Sequence, residues 1–321
     1  MTGSEEAGIY SSSRHRKADH AAHAALIHRG PEALLAAAVA FIDDGLAADE
    51  PTMAIFPTAM LERLRSRLGS SAGRVRLEDM TVVGRNPARL LPLILEFAEA
   101  AGGSSRIIGQ PLWGGRSDPE VAEVMCHEAL VNLALAERDA RVVCAYDLAA
   151  ADERVAADVR RTHPQLVSPH GKRSASADYA GPSGADPDPA RGLEEPRPPV
   201  EEIPVTPELR SLRQRVASSA LTAPLSGPRR DDFVLAVNEA AINALEHGQA
   251  PRAARLWRKG GSVIAEVVAR GRVDDPLVGR RTPEAHASRG RGLWIVNQLC
   301  DLVQLRHEGP TTKLRLHVDV T

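Results

Sequence analysis

Cysteine is scarce in this chain of 321 residues, which contains only Cys126, Cys144 and Cys300. The three are widely separated, and none stands in a CxxC pair or at a metal-ligand interval from a histidine. Structural zinc sites and disulfide frameworks normally show such closely spaced patterns. The sequence therefore predicts neither of them.

The chain also lacks a charge excess and a long apolar run. Its formal net charge is −2, whereas a protein that tracks nucleic-acid phosphates normally has a basic excess. No run of about 18 uncharged apolar residues is present, and residues 1–17 lack the apolar core of a secretory signal. We expect a cytoplasmic protein that binds neither nucleic acid nor a membrane directly.

The length of the chain favours two domains, because domains of roughly 100–200 residues are the usual size. Residues 168–206 are rich in Pro, Gly, Ser, Asp and Glu and have few large apolar side chains. Such a composition is typical of a linker, and its prolines favour a semi-stiff, extended chain. The prediction is a first domain at 20–167, a linker at 168–206 and a second domain at 207–321, with freedom for the domains to reorient.

The first domain alternates helix and strand patterns. Residues 34–47 have amphipathic helical spacing and residues 52–57 form a short apolar strand, and the alternation continues to residue 147. Alternation of this kind is typical of a mainly parallel sheet wrapped by helices, so the predicted fold class is α/β. In the second domain, helical patterns alternate with pairs of strand patterns that are typical of β-hairpins. This order predicts an α+β sandwich with an antiparallel sheet.

One helix of the second domain, predicted at 232–246, carries Glu239 and Asn243 four residues apart, with His247 a turn further on. Residues at this spacing share a helix face and can act on one ligand. Further along, Arg289-Gly290-Arg291-Gly292-Leu293 places two glycines just before another helix. Glycine allows backbone N–H groups to approach a phosphate, and a helix N-terminus attracts one.

These two motifs, in this order, resemble the N-box and G2-box of the GHKL ATPases, the superfamily of histidine kinases and Hsp90. The stretches NEAAINALEHG and GRGLWIVNQLCD are most similar to the anti-sigma-factor serine kinases. The resemblance implies a Bergerat-type sandwich that binds ATP and Mg²⁺, with Asn243 holding Mg²⁺ and Glu239 as the general base or positioning residue. The nucleotide-binding residues that it implies are Asn243, His247, Gly271, Arg289, Gly290, Gly292 and Leu293.

The sequence departs from this family at one position. The family's Asp-x-Gly box, whose Asp accepts a hydrogen bond from the adenine amino group, aligns with Ala269-Arg270-Gly271. An adenine amino group left without its acceptor would cost about 1–3 kcal/mol. The alignment therefore puts nucleotide binding, and with it catalysis, in question. For His247, a ligand-side or capping role and a plain surface position both stay open.

The first domain resembles the MEDS sensory domain of methanogen and methylotroph regulators, in the stretches GRNPARLLP, IIGQPLWGGRS, HEALVNLAL and CAYD. The resemblance implies a sensor of small molecules on a RecA-like scaffold. The chain has no GxxxxGK[ST] loop, so ATP hydrolysis by this domain is not expected. Aromatic, cationic and titratable groups near strand ends suggest a sensory pocket, with the candidates Trp113, Arg116, His127, Glu128 and Tyr146.

The preferred interpretation is a cytoplasmic regulator whose sensory domain controls a serine/threonine kinase domain acting by partner switching. The expected partners are a sigma factor and an anti-anti-sigma protein of the STAS type, together with a small-molecule ligand of the first domain. Two alternatives stay open: a degenerate module that binds partners without phosphoryl transfer, and a histidine-kinase-like protein. The sequence leaves homodimerisation undecided.

Overall fold

The computed structural model describes residues 23–149, 151–181, 192–284 and 290–320. Within these residues the chain forms a seven-stranded sheet in its first half and a five-stranded sheet in its second half. The first sheet is parallel except for its last strand, and the second is antiparallel throughout. A mainly parallel sheet followed by an antiparallel one confirms the fold classes predicted for the two halves.

The first half alternates strands and helices along the chain. Its strands are β1 (His23–Ile27), β2 (Thr52–Phe56), β3 (Arg76–Asp79), β4 (Ser105–Gly109), β5 (Ala140–Tyr146), β6 (Gln165–Val167) and β7 (Arg173–Ala175). Its helices are α1 (Gly30–Ala47), α2 (Thr58–Leu68), α3 (Met80–Val83), α4 (Leu90–Ala101), α5 (Asp118–Ala134) and α6 (Glu153–Thr162). The sheet order is β3-β2-β4-β5-β1-β6-β7, which places β1 between β5 and β6 in the interior of the sheet. The sequence pattern did not reveal this position of β1.

Both faces of this sheet are covered. Helices α1 and α2 pack on one face, around Ile42 and Phe56, and α4, α5 and α6 pack on the other, around Leu91 and Val131. Such double burial explains why β2 is apolar along its whole length instead of alternating. Helix α5 begins at a capping box between Ser117 and Glu120, as its Ser-x-x-Glu sequence predicts.

The second half places its helices on one face of the antiparallel sheet. Its strands are β8 (Glu201–Pro204), β9 (Gln249–Lys259), β10 (Ser262–Arg270), β11 (Leu302–Glu308) and β12 (Thr311–Asp319), in the order β11-β12-β10-β9-β8. Its helices are α7 (Leu209–Ser218), α8 (Gly227–His247) and α9 (Gly292–Leu299). Their apolar side chains and those of the inner sheet face form a single core.

The segment predicted as a linker has structure at both ends. Strand β7 pairs with β6 of the first sheet, and β8 pairs with β9 of the second. Leu193 is buried, and Glu195 accepts a hydrogen bond from Lys313 at 2.7 Å. In its described parts the segment 168–206 is therefore more than a spacer, because backbone pairing and one apolar anchor hold it to the sheets.

The two halves also contact each other directly. Asn86, between α3 and α4, donates through Nδ2 to the carbonyl oxygen of Asn297 in α9 at 3.0 Å. Arg85 pairs with Asp301 at 3.0 Å and with Asp319 at 2.7 Å. Leu277, from the second half, is buried in the core of the first. The expected freedom to reorient is therefore restrained by polar and apolar contacts in this arrangement.

Candidate functional site

Helix α8 positions the first motif. It begins at Gly227 and Pro228, several residues earlier than predicted, and buries Phe233 and Val237 against the sheet. Its alanines let the helix lie close to the strands, while Glu239 and Asn243 stay only partly buried on an adjoining face. The four-residue spacing therefore places a carboxylate and an amide one above the other, at the edge of the core.

The second motif meets the first at the start of α9. Gly292 is the first residue of this helix, and a Cβ atom built on it would lie 3.0 Å from Asn243 Nδ2 and 3.2 Å from Glu239 Oε2. The two motifs, about fifty residues apart in sequence, are thus in contact in the fold. Only glycine fits at this position without displacing the two side chains.

Hydrogen bonding around the two α8 side chains is incomplete. Among the described residues, Asn243 Nδ2 is buried and has no hydrogen-bond partner. Glu239 accepts a hydrogen bond from Asn238 Nδ2 at 3.4 Å, and Asn238 in turn accepts one from Arg213 at 3.0 Å. Buried polar groups are normally paired, so the amide of Asn243 could accommodate a further ligand.

Ala269, which aligns with the adenine-binding Asp of the family, lies next to Gly248 at the C-terminal end of α8. Ala269 is buried in β10 opposite Thr312, and Gly248 approaches so closely that a Cβ built on it would lie 2.6 Å from the Ala269 methyl group. Gly271 has φ +130°, donates its N–H to Pro310 O at 2.8 Å, and accepts at its carbonyl from Thr312 at 2.6 Å. The glycine turn of the motif is present, but Ala269 has no hydrogen-bond acceptor.

The remaining candidates of the second half are more dispersed. His247 ends α8 with 73% of its side chain exposed, 3.8 Å from Glu246, so a ligand role for it stays a prediction. Gly290 has φ +83° and open space around it, and Leu293 packs against Gly279. Arg289 lies outside the described residues.

Two candidates of the first half pack on each other. The Arg116 guanidinium stacks over the Trp113 ring at 3.7 Å and donates to the carbonyl oxygens of Gly84 at 2.7 Å and Pro111 at 3.0 Å. Burial lowers the pKa of Arg116 to about 10. This pair ties the loop after β4 to the end of α3, which is a structural contact; a ligand role for the pair stays a prediction.

The other three candidates, His127, Glu128 and Tyr146, lie in the core. Burial lowers the pKa of His127 to about 4, and burial raises the pKa of Tyr146 well above its ordinary value. The Tyr146 hydroxyl has no hydrogen-bond partner among the described residues. The structure adds three residues to this region that the sequence did not single out, namely His23, Cys144 and His163.

The structure thus joins an α/β domain to an antiparallel sheet whose helices bring together Glu239, Asn243 and a glycine-led helix. Comparison with protein families identifies both halves. Residues 22–164 match the model of MEDS, the methanogen/methylotroph, DcmR sensory domain, and residues 203–318 match the histidine kinase-like ATPase domain. The chain thus contains a MEDS domain followed by a histidine kinase-like ATPase domain, which confirms both resemblances.

Among solved structures, the RsbU and RsbW domains of Rv1364c from Mycobacterium tuberculosis match with 21% identity and a TM-score of 0.29. The match covers 38% of this chain and 32% of that chain, so this chain spans about a third of the length of that protein. No curated protein matches. Within the described residues, no helix is long and apolar enough to cross a membrane.

Proposed function

We propose that this chain is a signalling protein in which a MEDS domain with a RecA-like scaffold controls an ATP-binding domain of the Bergerat type. The ATP-binding domain acts as an anti-sigma-type serine/threonine kinase and switches between a sigma factor and a STAS-type anti-anti-sigma partner. The domain bounds that we assign are 20–167, 168–206 and 207–321. Support comes from the two family matches and from the geometry around Gly292.

The contact of Gly292 with Glu239 and Asn243 is the observation that carries the proposal. Phosphoryl transfer depends mainly on positioning and on neutralising charge. In this site Asn243 would ligate Mg²⁺, Glu239 would orient or deprotonate the attacking hydroxyl, and the N-terminus of α9 would face the phosphates. In that arrangement Asn243 Oδ1 would ligate the ion, and the buried Nδ2 atom, which has no partner among the described residues, could donate to a phosphate oxygen of the nucleotide.

Control of the ATP site by the sensory domain is supported by contacts between the MEDS domain and the segment that precedes α9. Leu277 is buried in the MEDS core, Arg280 pairs with Glu123 of α5 at 3.5 Å, and Thr282 donates to Glu96 of α4. We name residues 277–282 the lid segment. A ligand that shifts α4 or α5 would move the lid segment, and with it the glycines that approach the phosphates.

The other end of α9 is held by the same domain. Arg89, just before α4, donates to the carbonyl oxygens of Asn297 at 2.9 Å, Gln298 at 2.6 Å and Cys300 at 2.9 Å. These are the carbonyls that a helix leaves without intrahelical partners at its C-terminus. The lid segment and the C-terminus of α9 therefore both depend on the position of the sensory domain, which gives a physical route for signalling.

Ala269 favours a second candidate function. Without an acceptor for the adenine amino group, the domain could bind its protein partner and transfer no phosphate. In that case Glu239 and Asn243 would serve only to pack α9.

Calorimetry with the full chain distinguishes the two candidates. We expect ATP and ADP to bind with micromolar affinity only when Mg²⁺ is present, and Asn243→Ala to abolish this binding. Gln214→Ala, which removes an exposed amide on α7, is the matched control and should bind as the native chain does. Absence of binding at millimolar nucleotide would support the nucleotide-free module, and unchanged binding by Asn243→Ala would refute the role given to Asn243.

A further inference from the structure

Four side chains with metal-ligand chemistry meet in the core of the MEDS domain. They are His23 on β1, Glu128 on α5, Cys144 on β5 and His163 just after α6. Each is at most 5% exposed, and one ligand atom from each lies within 4.8 Å of the other three. We name this set the buried cluster.

The distances within the buried cluster are short. Glu128 Oε2 lies 2.9 Å from His23 Nε2 and 3.1 Å from His163 Nε2, and Cys144 Sγ lies 3.6 Å from His23 Nε2. Zinc bonds of roughly 2.0–2.3 Å place tetrahedral ligands about 3.3–3.8 Å apart. The three separations of 2.9, 3.1 and 3.6 Å are within a few tenths of an ångström of this range, and the other pairs, all within 4.8 Å, are within about 1 Å of it.

Hydrogen bonds fix the tautomer of His23. Asn132 Nδ2 donates to Thr162 O at 2.7 Å and to Glu128 O at 3.2 Å, which orients the amide and leaves its Oδ1 facing His23. His23 Nδ1 lies 3.1 Å from this Oδ1 and must be the donor. In the neutral ring Nε2 therefore carries a lone pair, and it points into the buried cluster.

His163 is fixed in the same way. Its Nδ1 lies 2.8 Å from the carbonyl oxygen of Val159, which can only accept, so Nδ1 carries the hydrogen. Its Nε2 is close to Glu128 Oε2 but lies outside hydrogen-bond geometry and has no partner among the described residues. Two imidazole lone pairs thus converge with a carboxylate.

The two imidazole rings, whose centroids are 4.2 Å apart, direct their Nε2 lone pairs at the same carboxylate, so acceptors face one another in the interior. Buried polar groups are normally paired. A divalent cation would pair these groups, because it accepts both lone pairs, and the carboxylate and a Cys144 thiolate together balance its charge.

We propose that the MEDS domain binds one Zn²⁺ ion through His23 Nε2, a Glu128 oxygen, Cys144 Sγ and His163 Nε2. The thiol proton of Cys144 is released to solvent when the ion binds. Zinc accepts nitrogen, oxygen and sulfur ligands in tetrahedral geometry, and four protein ligands define a closed, structural site. Asn132 and Val159 orient the two histidines from outside, as is usual for metal-bound imidazoles.

The zinc ion would join the centre of the sheet to α5. This helix also carries Glu123, which pairs with the lid segment. Metal occupancy would therefore set the position of the helix that reaches the ATPase domain, and this consequence rests on the proposed function. The metal site itself stands on the buried cluster alone, so its test is independent of nucleotide binding.

Cobalt titration tests the site. The full chain is freed of metal with a chelator, returned to chelator-free buffer, and titrated with Co²⁺. We expect one equivalent to bind, with the visible bands of tetrahedral cobalt and a near-ultraviolet thiolate-to-cobalt band, and both should disappear when Zn²⁺ is added. Absence of uptake, or the pale spectrum of octahedral cobalt, would overturn the proposal.

Two variants locate the sulfur ligand. Cys144→Ser should abolish the thiolate-to-cobalt band and weaken Co²⁺ binding at least 10-fold, whereas Cys126→Ser, on the same α5 helix as Glu128, should keep both. An unchanged band in Cys144→Ser would contradict the assignment. Should Cys144→Ser fail to fold, X-ray absorption on the native cobalt form decides instead: one sulfur and three lighter ligands are expected, and a shell without sulfur excludes the site.

Discussion

Gly292 shows how a single hydrogen atom in place of a side chain permits the candidate ATP site. The residue lies at the first position of α9, and its Cα hydrogen faces the amide of Asn243 and the carboxylate of Glu239. The sequence identified the glycine from its motif, and the contact explains it physically. A Cβ atom here would require the ends of the Asn243 and Glu239 side chains to shift by a few tenths of an ångström.

Gly292→Ala should therefore affect ligand binding more than folding. Replacing Gly by Ala stabilises a helix by about 1 kcal/mol. This gain offsets part of the roughly 1–3 kcal/mol of stability that overpacking costs. We expect Mg²⁺-ATP affinity to fall at least 10-fold in calorimetry, with a small change in the unfolding midpoint. Gly227→Ala, at the first position of α8 where a Cβ meets open space, is the control. Equal affinity in the two variants would argue against the site.

His317 makes the stability of the second sheet sensitive to acid. Burial lowers the pKa of this histidine to about 4 from its ordinary 6.5, and its Nε2–H donates to Gln304 at 3.1 Å. Because the folded state favours the neutral ring, its contribution to stability is complete above pH 6.5. As the pH falls from 6.5 towards 4, the unfolded chain binds the proton first and this contribution is lost.

We expect His317→Gln to remove this part of the acid sensitivity. Between pH 7 and 4 the native chain should lose up to about 3 kcal/mol more unfolding free energy than the variant does, from 1.36 kcal/mol per pKa unit. Urea unfolding at a series of pH values measures the difference. His170→Gln, at an exposed position, should follow the native pH profile. Parallel profiles for native chain and His317→Gln would contradict the prediction.

At the scale of elements, α9 is a short helix that depends on another domain. It has eight residues and no basic residue in its last turn, and short isolated helices are marginal in water. Arg89 supplies the missing positive charge and binds three carbonyls at its C-terminus. The length of α9 and its position next to the nucleotide motif thus make it an element that the sensory domain can stabilise or release.

Arg89→Ala should loosen α9 selectively. Hydrogen bonds to charged groups contribute about 1.5–3 kcal/mol each at most, and three carbonyls lose their donor together. We expect faster amide hydrogen exchange in residues 292–300 and unchanged exchange in the first sheet. Arg89→Lys keeps the charge but lacks the planar set of donors, so its exchange rate in residues 292–300 should lie between those of the native chain and Arg89→Ala. Native exchange rates in Arg89→Ala would show that the contact is not needed.

At the scale of the whole molecule, one buried carboxylate connects three segments. Glu123 of α5 is 1% exposed, pairs with Arg280 of the lid segment and also accepts a hydrogen bond from Arg306 of β11. Both arginines are themselves at most 9% exposed. Loss of one partner from a buried ion pair costs about 3–5 kcal/mol, because the opposite charge stays in the interior.

Glu123→Gln should therefore weaken the hold of the sensory domain on the lid. The expected result is faster hydrogen exchange in residues 277–284. Glu137→Gln, an exposed carboxylate just after α5, is the control and should leave this exchange unchanged. The same exchange in both variants would mean that the lid segment is held without this carboxylate.

Where local patterns were strong, the elements could be predicted from sequence. The helical spacing of residues 34–47 and the apolar run of β2 are local features, and each is observed. Strand β1 was missed because five residues, HAALI, give too short a run to separate from a buried helix. The short β7 and β8 pairings of the predicted linker were missed because its composition indicates no strand partner.

The sequence by itself determined the two domain classes and the Glu239 and Asn243 pair, because helical periodicity and short glycine motifs are properties of neighbouring residues. Only the tertiary structure decided which distant groups meet. In the buried cluster His23 meets Glu128 across 105 positions, and elsewhere Glu123 meets Arg306 across 183. Such contacts are set by strand order and by the docking of the two domains, and the spacing of residues along the chain has no information about either.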